Sequence, residues 1–236
     1  MGNPAFSEKA LKRIGSLAGA DVDKMTVQGA INRTGILLAI LALGAGLGWN
    51  LESPILLFGS LIGALILSFV IIFNPPRAAY LSQVYAFLEG ILLGSISSFY
   101  DVKYTGIVGN ALMLTVGILG LMLALYHFKV IRVTDRFKSV LISVAGAIAI
   151  VYFIDIVMSF FGVSVPMIHQ GGMYGIGFSL LVTAVAAFNL LLDFDMIEKS
   201  NEAGAPKFME WYGAFALLVT LIWLYLEILR LLSKRK

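Results

Sequence analysis

Residues 53–76 read SPILLFGSLIGALILSFVIIFNPP, without a single Asp, Glu, Lys, Arg or His. An α-helix rises about 1.5 Å per residue, so about 20 apolar residues cover the hydrocarbon of a bilayer. This stretch is long enough to cross, and Pro75 and Pro76 break the pattern at its end.

The pattern recurs on both sides. Residues 34–51, 104–128 and 139–154 carry no Asp, Glu, Lys or Arg, and Glu89 is the one charge between Arg77 and Asp101. Residues 156–192 are also uncharged, but Pro166, His169, Gln170, Gly171 and Gly172 mark a loop inside them, and residues 211–226 form the last run. Seven spans follow, at about 34–50, 54–73, 79–100, 105–127, 139–161, 173–194 and 210–232. Barrel strands would alternate polar and apolar at every second residue, and these runs do not. The fold class expected is an all-α integral membrane protein, a bundle of seven transmembrane helices.

Composition agrees. Of 236 residues, 59% are hydrophobic and 13% charged, against roughly 25% charged in a soluble domain. Mean hydropathy is +0.92, an excess that no single water-soluble core can hide. A soluble enzyme and a disordered chain are excluded. The absence of cysteine removes disulfides, thiolate chemistry and Cys-based metal sites. The net charge of +3 sits at the ends and in loops, which suits anionic lipid headgroups. No basic stripe of the kind that binds nucleic acid is visible.

One membrane domain, residues 34–232, is expected between a polar cytoplasmic tail (1–33) and a basic tail (233–236). The first tail holds five Lys/Arg and three acids and lacks the form of a signal peptide. Loop Lys/Arg counts place the N-terminus inside: Arg77, then Lys129, Arg132, Arg136 and Lys138, then Lys199 and Lys207 fall on that side, and Lys103 alone on the other. Arg230, Lys234, Arg235 and Lys236 would lie outside after seven spans. Either the last helix accepts that violation, or one segment is re-entrant and both ends are inside. Small residues let helices approach in membranes, so Gly59/Gly63, Gly90/Gly94 and the Gly44, Gly46, Gly48 group read as packing faces.

A carboxylate at the bilayer centre costs about 2.5–3.5 kcal/mol on insertion scales, so each acid within a span needs a reason. Five qualify: Glu89, Asp155, Asp193, Asp195 and Glu227. Glu89 shares a helix face with Ser82 and Tyr85, and Asp155 shares one with Tyr152 and Ser159. Asp193 and Asp195 point to nearly opposite faces, so one faces the bundle and the other the interface. Thr220, Trp223, Glu227 and Arg230 make one stripe, on which Glu227 and Arg230 can pair. Each acid is either satisfied by a neighbour or part of an ion or proton path. No Walker loop, HExxH or paired-histidine metal spacing occurs, so no enzyme is expected.

The stretches YAFLEGILLG (85–94), ALYHFKVIRVT (124–134), LLDFDMIEK (191–199) and APKFMEWYGAFALLVTLIWLYLEILRLL (205–232) resemble the Bax inhibitor-1 (transmembrane Bax inhibitor motif) family, its bacterial branch most. The likeness runs over about residues 30–233. It implies a pH-sensitive calcium leak channel gated by two aspartates, one each from the sixth and seventh helices. The first lies in a Tyr-Asp motif, which FDMIE matches best, giving Asp195 that role with Asp193 as second choice. The other follows a LYL motif: the LYLE string selects Glu227, whereas anchoring on ILRLL selects Thr220. Neither is an aspartate, so the pair is not reproduced as such.

Two carboxylates close together in low dielectric cannot both ionise cheaply, and ionised they are hard oxygen ligands of the kind Ca2+ accepts. Arg77 and Arg230 are the latch candidates. The expected function is therefore a multi-pass protein, in a bacterial inner membrane with its N-terminus cytoplasmic, that passes Ca2+ or other cations along an acidic path. Its partners are the lipid bilayer and the cation, with Ca2+ transient, Asp195 its expected ligand, and no resident cofactor. The alternative is a regulatory protein that binds a membrane-protein partner, such as a protease, through helix contacts. An intramembrane aspartyl protease would carry a Gly-Leu-Gly-Asp motif, and none occurs.

Overall fold

The computed structural model describes residues 23–50, 53–162 and 172–235. Among them the chain is helical and without strands, apart from a single antiparallel bridge between Lys24 and Pro206. Seven helices are long and apolar enough to cross a membrane: α1 (Val27–Trp49), α2 (Pro54–Phe73), α3 (Ala78–Lys103), α4 (Ile107–His127), α5 (Asp135–Ser159), α6 (Met173–Glu202) and α7 (Met209–Ser233). A 3-10 turn, Pro75–Arg77, joins α2 to α3. His169 and its loop fall outside the described residues.

Helix ends follow their capping chemistry. Thr26 caps α1 by accepting from Gly29 N–H, and Thr134 caps α5 by accepting from Phe137 N–H. The first helix thus begins at Val27 rather than at about residue 34, taking Asn32 and Arg33 into its opening turns. The spans differ widely in enclosure: 61% of the apolar window of α7 and 50% of that of α6 are buried, against 17% for α2 and for α5. Helices α2, α4 and α5 turn large apolar side chains outward, among them Ile55, Phe58, Phe73, Met113 and Phe153. Such faces are stable in lipid and not in water.

The chain divides into two compact units. One holds α1, α2, α3 to Phe99, and Asp193–Val219. In it, α1 and α3 meet backbone to backbone. A Cβ added at Gly48 would run into Ile91, and one added at Gly94 into Ala45, while the Cα atoms of Gly44 and Gly90 face each other. Ser95 Oγ donates to the Gly48 carbonyl across this crossing at 2.7 Å. Gly90/Gly94 therefore behaves as a packing face. The Gly59/Gly63 pair does not: nothing lies within 4 Å of a Cβ at Gly59, and at Gly63 only the flexible tip of Leu88 does.

The other unit holds Tyr100–Leu192 and the chain from Thr220 onward. Its core is a stripe of α5 (Leu141, Val144, Ala145, Ile148, Tyr152) against a stripe of α6 (Phe178, Val182, Val185, Phe188) with Trp223 of α7. Edge-on ring contacts pair Phe137 with Phe188 and Tyr152 with Phe178, so α5 and α6 run antiparallel.

Candidate functional site

Each unit contains its own buried carboxylates. In the second unit, Glu227 stands on α7 and is 1% exposed. Its Oε1 accepts from the Tyr152 hydroxyl at 2.8 Å and from Arg230 Nη1 at 2.9 Å. The same Nη1 donates to the Tyr152 hydroxyl at 2.6 Å, and the guanidinium lies 4.9 Å from the centre of that ring. The tyrosine hydroxyl is thus acceptor from Arg230 and donor to Glu227, closing a triangle of three polar groups. Helical spacing explains half of it, since residues three apart share a face. The fold supplies the rest by bringing α5 alongside α7.

The second oxygen of Glu227 is different. Oε2 is buried and receives no hydrogen bond. A buried acceptor without a donor is costly, so this oxygen keeps the capacity to take a proton or a cation. One turn beyond Arg230, Lys234 donates to the Gly175 carbonyl at 3.1 Å and to Ser179 Oγ at 2.8 Å, tying the end of α7 to the start of α6. Burial, reinforced by the neighbouring Arg230, holds its ammonium below the ordinary lysine range, with Glu227 pulling the other way.

Thr220 and Asp155 are also buried in this unit. Thr220 precedes Glu227 by two turns on the stripe expected from spacing, and Trp223 of that stripe packs into the core. Asp155 follows Tyr152 by three residues. Its expected partner Ser159 is exposed and donates to the Ile156 carbonyl at 2.6 Å instead.

In the first unit stand the two acids that end α6, and one carboxylate oxygen of each is buried. Asp195 is buried and Asp193 half-buried. Asp195 Oδ2 pairs with Lys199 Nζ at 2.9 Å, one turn along the helix. Glu89 is half-buried on α3. Of the hydroxyls expected beside it, Ser82 Oγ donates to the Ala78 carbonyl and the Tyr85 ring packs edge-on against Phe215. Of the two latch candidates, Arg230 pairs with an acid, whereas Arg77 is exposed on its 3-10 turn and makes no ion pair among the described residues. Nor do three acidic or histidine side chains converge to hold a metal ion among the described residues.

Glu210 is the residue that sequence reasoning missed. It is 1% exposed in the first turn of α7. Its Oε1 accepts from the backbone N–H of Thr26 at 3.0 Å and from the Thr26 hydroxyl at 3.1 Å, with Lys207 Nζ at 3.4 Å. Arg33 Nε lies 3.8 Å from Oε2 and stacks its guanidinium 4.8 Å from the centre of the Trp211 ring. An anion at a helix N-terminus is favoured by the helix dipole and the free N–H groups. Gly29 leaves room for it, because a Cβ there would displace the Glu210 carboxylate. Backbone bonds from Met25 N–H to Ala205 and from Lys207 N–H to Asp23 complete the clasp. The available signal was Lys207 three residues before Glu210. The larger part, Thr26 and Arg33, lies far away in sequence.

Comparison with known proteins bears on the whole chain at once. No curated protein matches it, but the family model described as Bax inhibitor 1 like matches residues 3–236. Seven spanning helices with acids buried in the last two agree with the resemblance carried by LLDFDMIEK and LYLEILRLL, and the chain belongs to the Bax inhibitor 1 like family.

Proposed function

We propose that this membrane protein is a pH-sensitive leak pathway for cations, Ca2+ foremost, with Glu227 of α7 as its principal acid and Asp195 of α6 as a second. The observation that carries the proposal is the Glu227 carboxylate: wholly buried in an apolar helix, anchored through one oxygen by Tyr152 and Arg230, and left without a donor at the other. An ionised Oε2 is a hard oxygen of the kind Ca2+ accepts. When it takes a proton, both the negative charge and the acceptor are lost and the attraction for a cation goes with them. Thr220, the other seventh-helix position the family resemblance offers, cannot titrate.

The cell membrane is proposed to be a bacterial inner membrane, with the N-terminus on the cytoplasmic side where most loop Lys/Arg lie. The test is Ca2+ entry into dye-loaded proteoliposomes across a pH series, comparing wild type with Glu227→Gln and Asp195→Asn. The reading requires Glu227→Gln to flatten the pH dependence. An unchanged profile in that variant would remove Glu227 from the path, and a stoichiometric membrane-protein partner for a non-conducting protein would move the function to regulation through helix contacts.

A further inference from the structure

The connection between α4 and α5 is short, basic and turned outward. It runs HFKVIRVTDRFK from His127 to Lys138. Phe128 is 74% exposed and Val130 67%. Lys129, Arg132 and Arg136 are all exposed, with Asp135 the one acid in the segment. It joins two helices that are each long and apolar enough to cross a membrane. It therefore lies where hydrocarbon gives way to headgroups.

The backbone supplies an independent observation. Helix α4 closes with a Schellman pair, Val130 N–H to the Leu125 carbonyl and Lys129 N–H to the Tyr126 carbonyl, both at 3.0 Å. Lys129 takes the left-handed position, with φ 54°, and is the one non-glycine residue with positive φ among the described residues. A Cβ is disfavoured there. The same motif at the end of α6, Ala205 to Ser200 and Gly204 to Asn201, places Gly204 in it with φ 65°. In this motif the residue after the left-handed position commonly folds its apolar side chain back on the helix, yet Val130 stays exposed. Local strain at a non-glycine residue marks a place where something other than the turn selects the side chain.

We propose that this loop is a docking surface for anionic phospholipid headgroups. Lys129, Arg132 and Arg136 hold headgroup phosphates through charge-assisted hydrogen bonds, while Phe128 and Val130 enter the interfacial layer. His127 packs edge-on to Phe128 at 5.3 Å, so the exposed ring stands on a supporting one. Three exposed cations against one acid favour an anionic surface over a zwitterionic one. The two apolar side chains among them, next to the ends of two spans, favour a bilayer over a free anion.

The test is native mass spectrometry of the full-length protein titrated with phosphatidylglycerol, and with phosphatidylcholine as the neutral control. The wild type binds phosphatidylglycerol preferentially. Each cation removed weakens that binding roughly fivefold, so Arg132→Gln combined with Arg136→Gln loses more than tenfold. Lys129→Gly relaxes the backbone and thus keeps the fold, yet it must still lose roughly fivefold. Phosphatidylglycerol affinity unchanged in Lys129→Gly and in the double variant overturns the proposal. Full displacement of the lipid by an equal concentration of inorganic phosphate overturns it too, assigning the loop to a free anion.

Discussion

Replacing Glu210 by alanine removes the carboxylate that joins the start of α1 to the start of α7. Two hydrogen bonds from Thr26, 3.0 and 3.1 Å long, end on it, and bonds to a charged acceptor contribute about 1.5–3 kcal/mol each. Thr26 is exposed, so water replaces much of what is lost and the lower figure applies. Arg33 and Lys207, with side chains 33% and 46% exposed, contribute under about 1 kcal/mol between them after solvent screening. The expected cost of Glu210→Ala is therefore about 3 kcal/mol. Glu210→Gln keeps an oxygen for Thr26 and loses only the charge, and should cost about 1 kcal/mol. The assay is denaturant unfolding of the detergent-solubilised full chain, followed by circular dichroism. A loss below about 0.5 kcal/mol for Glu210→Ala, the range of ordinary surface substitutions, would refute the reasoning that this clasp anchors the first helix.

Three further outcomes are open to the same unfolding measurement. Gly48→Leu must push a side chain into the Ile91 backbone and should cost about 3 kcal/mol or more, whereas Gly59→Leu meets nothing within 4 Å and should stay within about 0.5 kcal/mol. Arg230→Gln leaves Glu227 buried with Tyr152 as its remaining donor and should cost about 2–4 kcal/mol, and adding Glu227→Gln should restore part of that, since the two charges then leave together. Lys129→Gly should raise stability in neutral detergent by about 1 kcal/mol by relieving a left-handed Cβ, the reverse of the usual effect of glycine.

The spans were legible because a crossing helix needs an uninterrupted apolar run, and residues 53–76 supply one that no soluble fold would tolerate. The start of α1 was less so. Arg33 looks like the end of a polar tail, but its guanidinium lies over Trp211 and beside Glu210, so a charged residue belongs to the helix. Local spacing revealed the Glu227–Arg230 pair, because it depends only on helical rotation. Tyr152 as the third member of the Glu227 triangle, and Thr26 as the partner of Glu210, depend on which helices become neighbours. A single sequence does not encode that in any local pattern. The glycine pairs teach the same lesson: Gly59/Gly63 and Gly90/Gly94 have identical spacing, and only the second meets another backbone.

Glu227 remains the residue on which the functional account turns, and the most direct measurement is Ca2+ flux by the wild-type protein itself. Purified full-length chain is placed in liposomes loaded with a calcium dye, and entry is followed at a series of pH values on either side of neutrality against protein-free liposomes. The account predicts entry that depends on the protein and grows as pH rises. Entry no faster than in protein-free liposomes at every pH, from protein shown by circular dichroism to be folded, would contradict it.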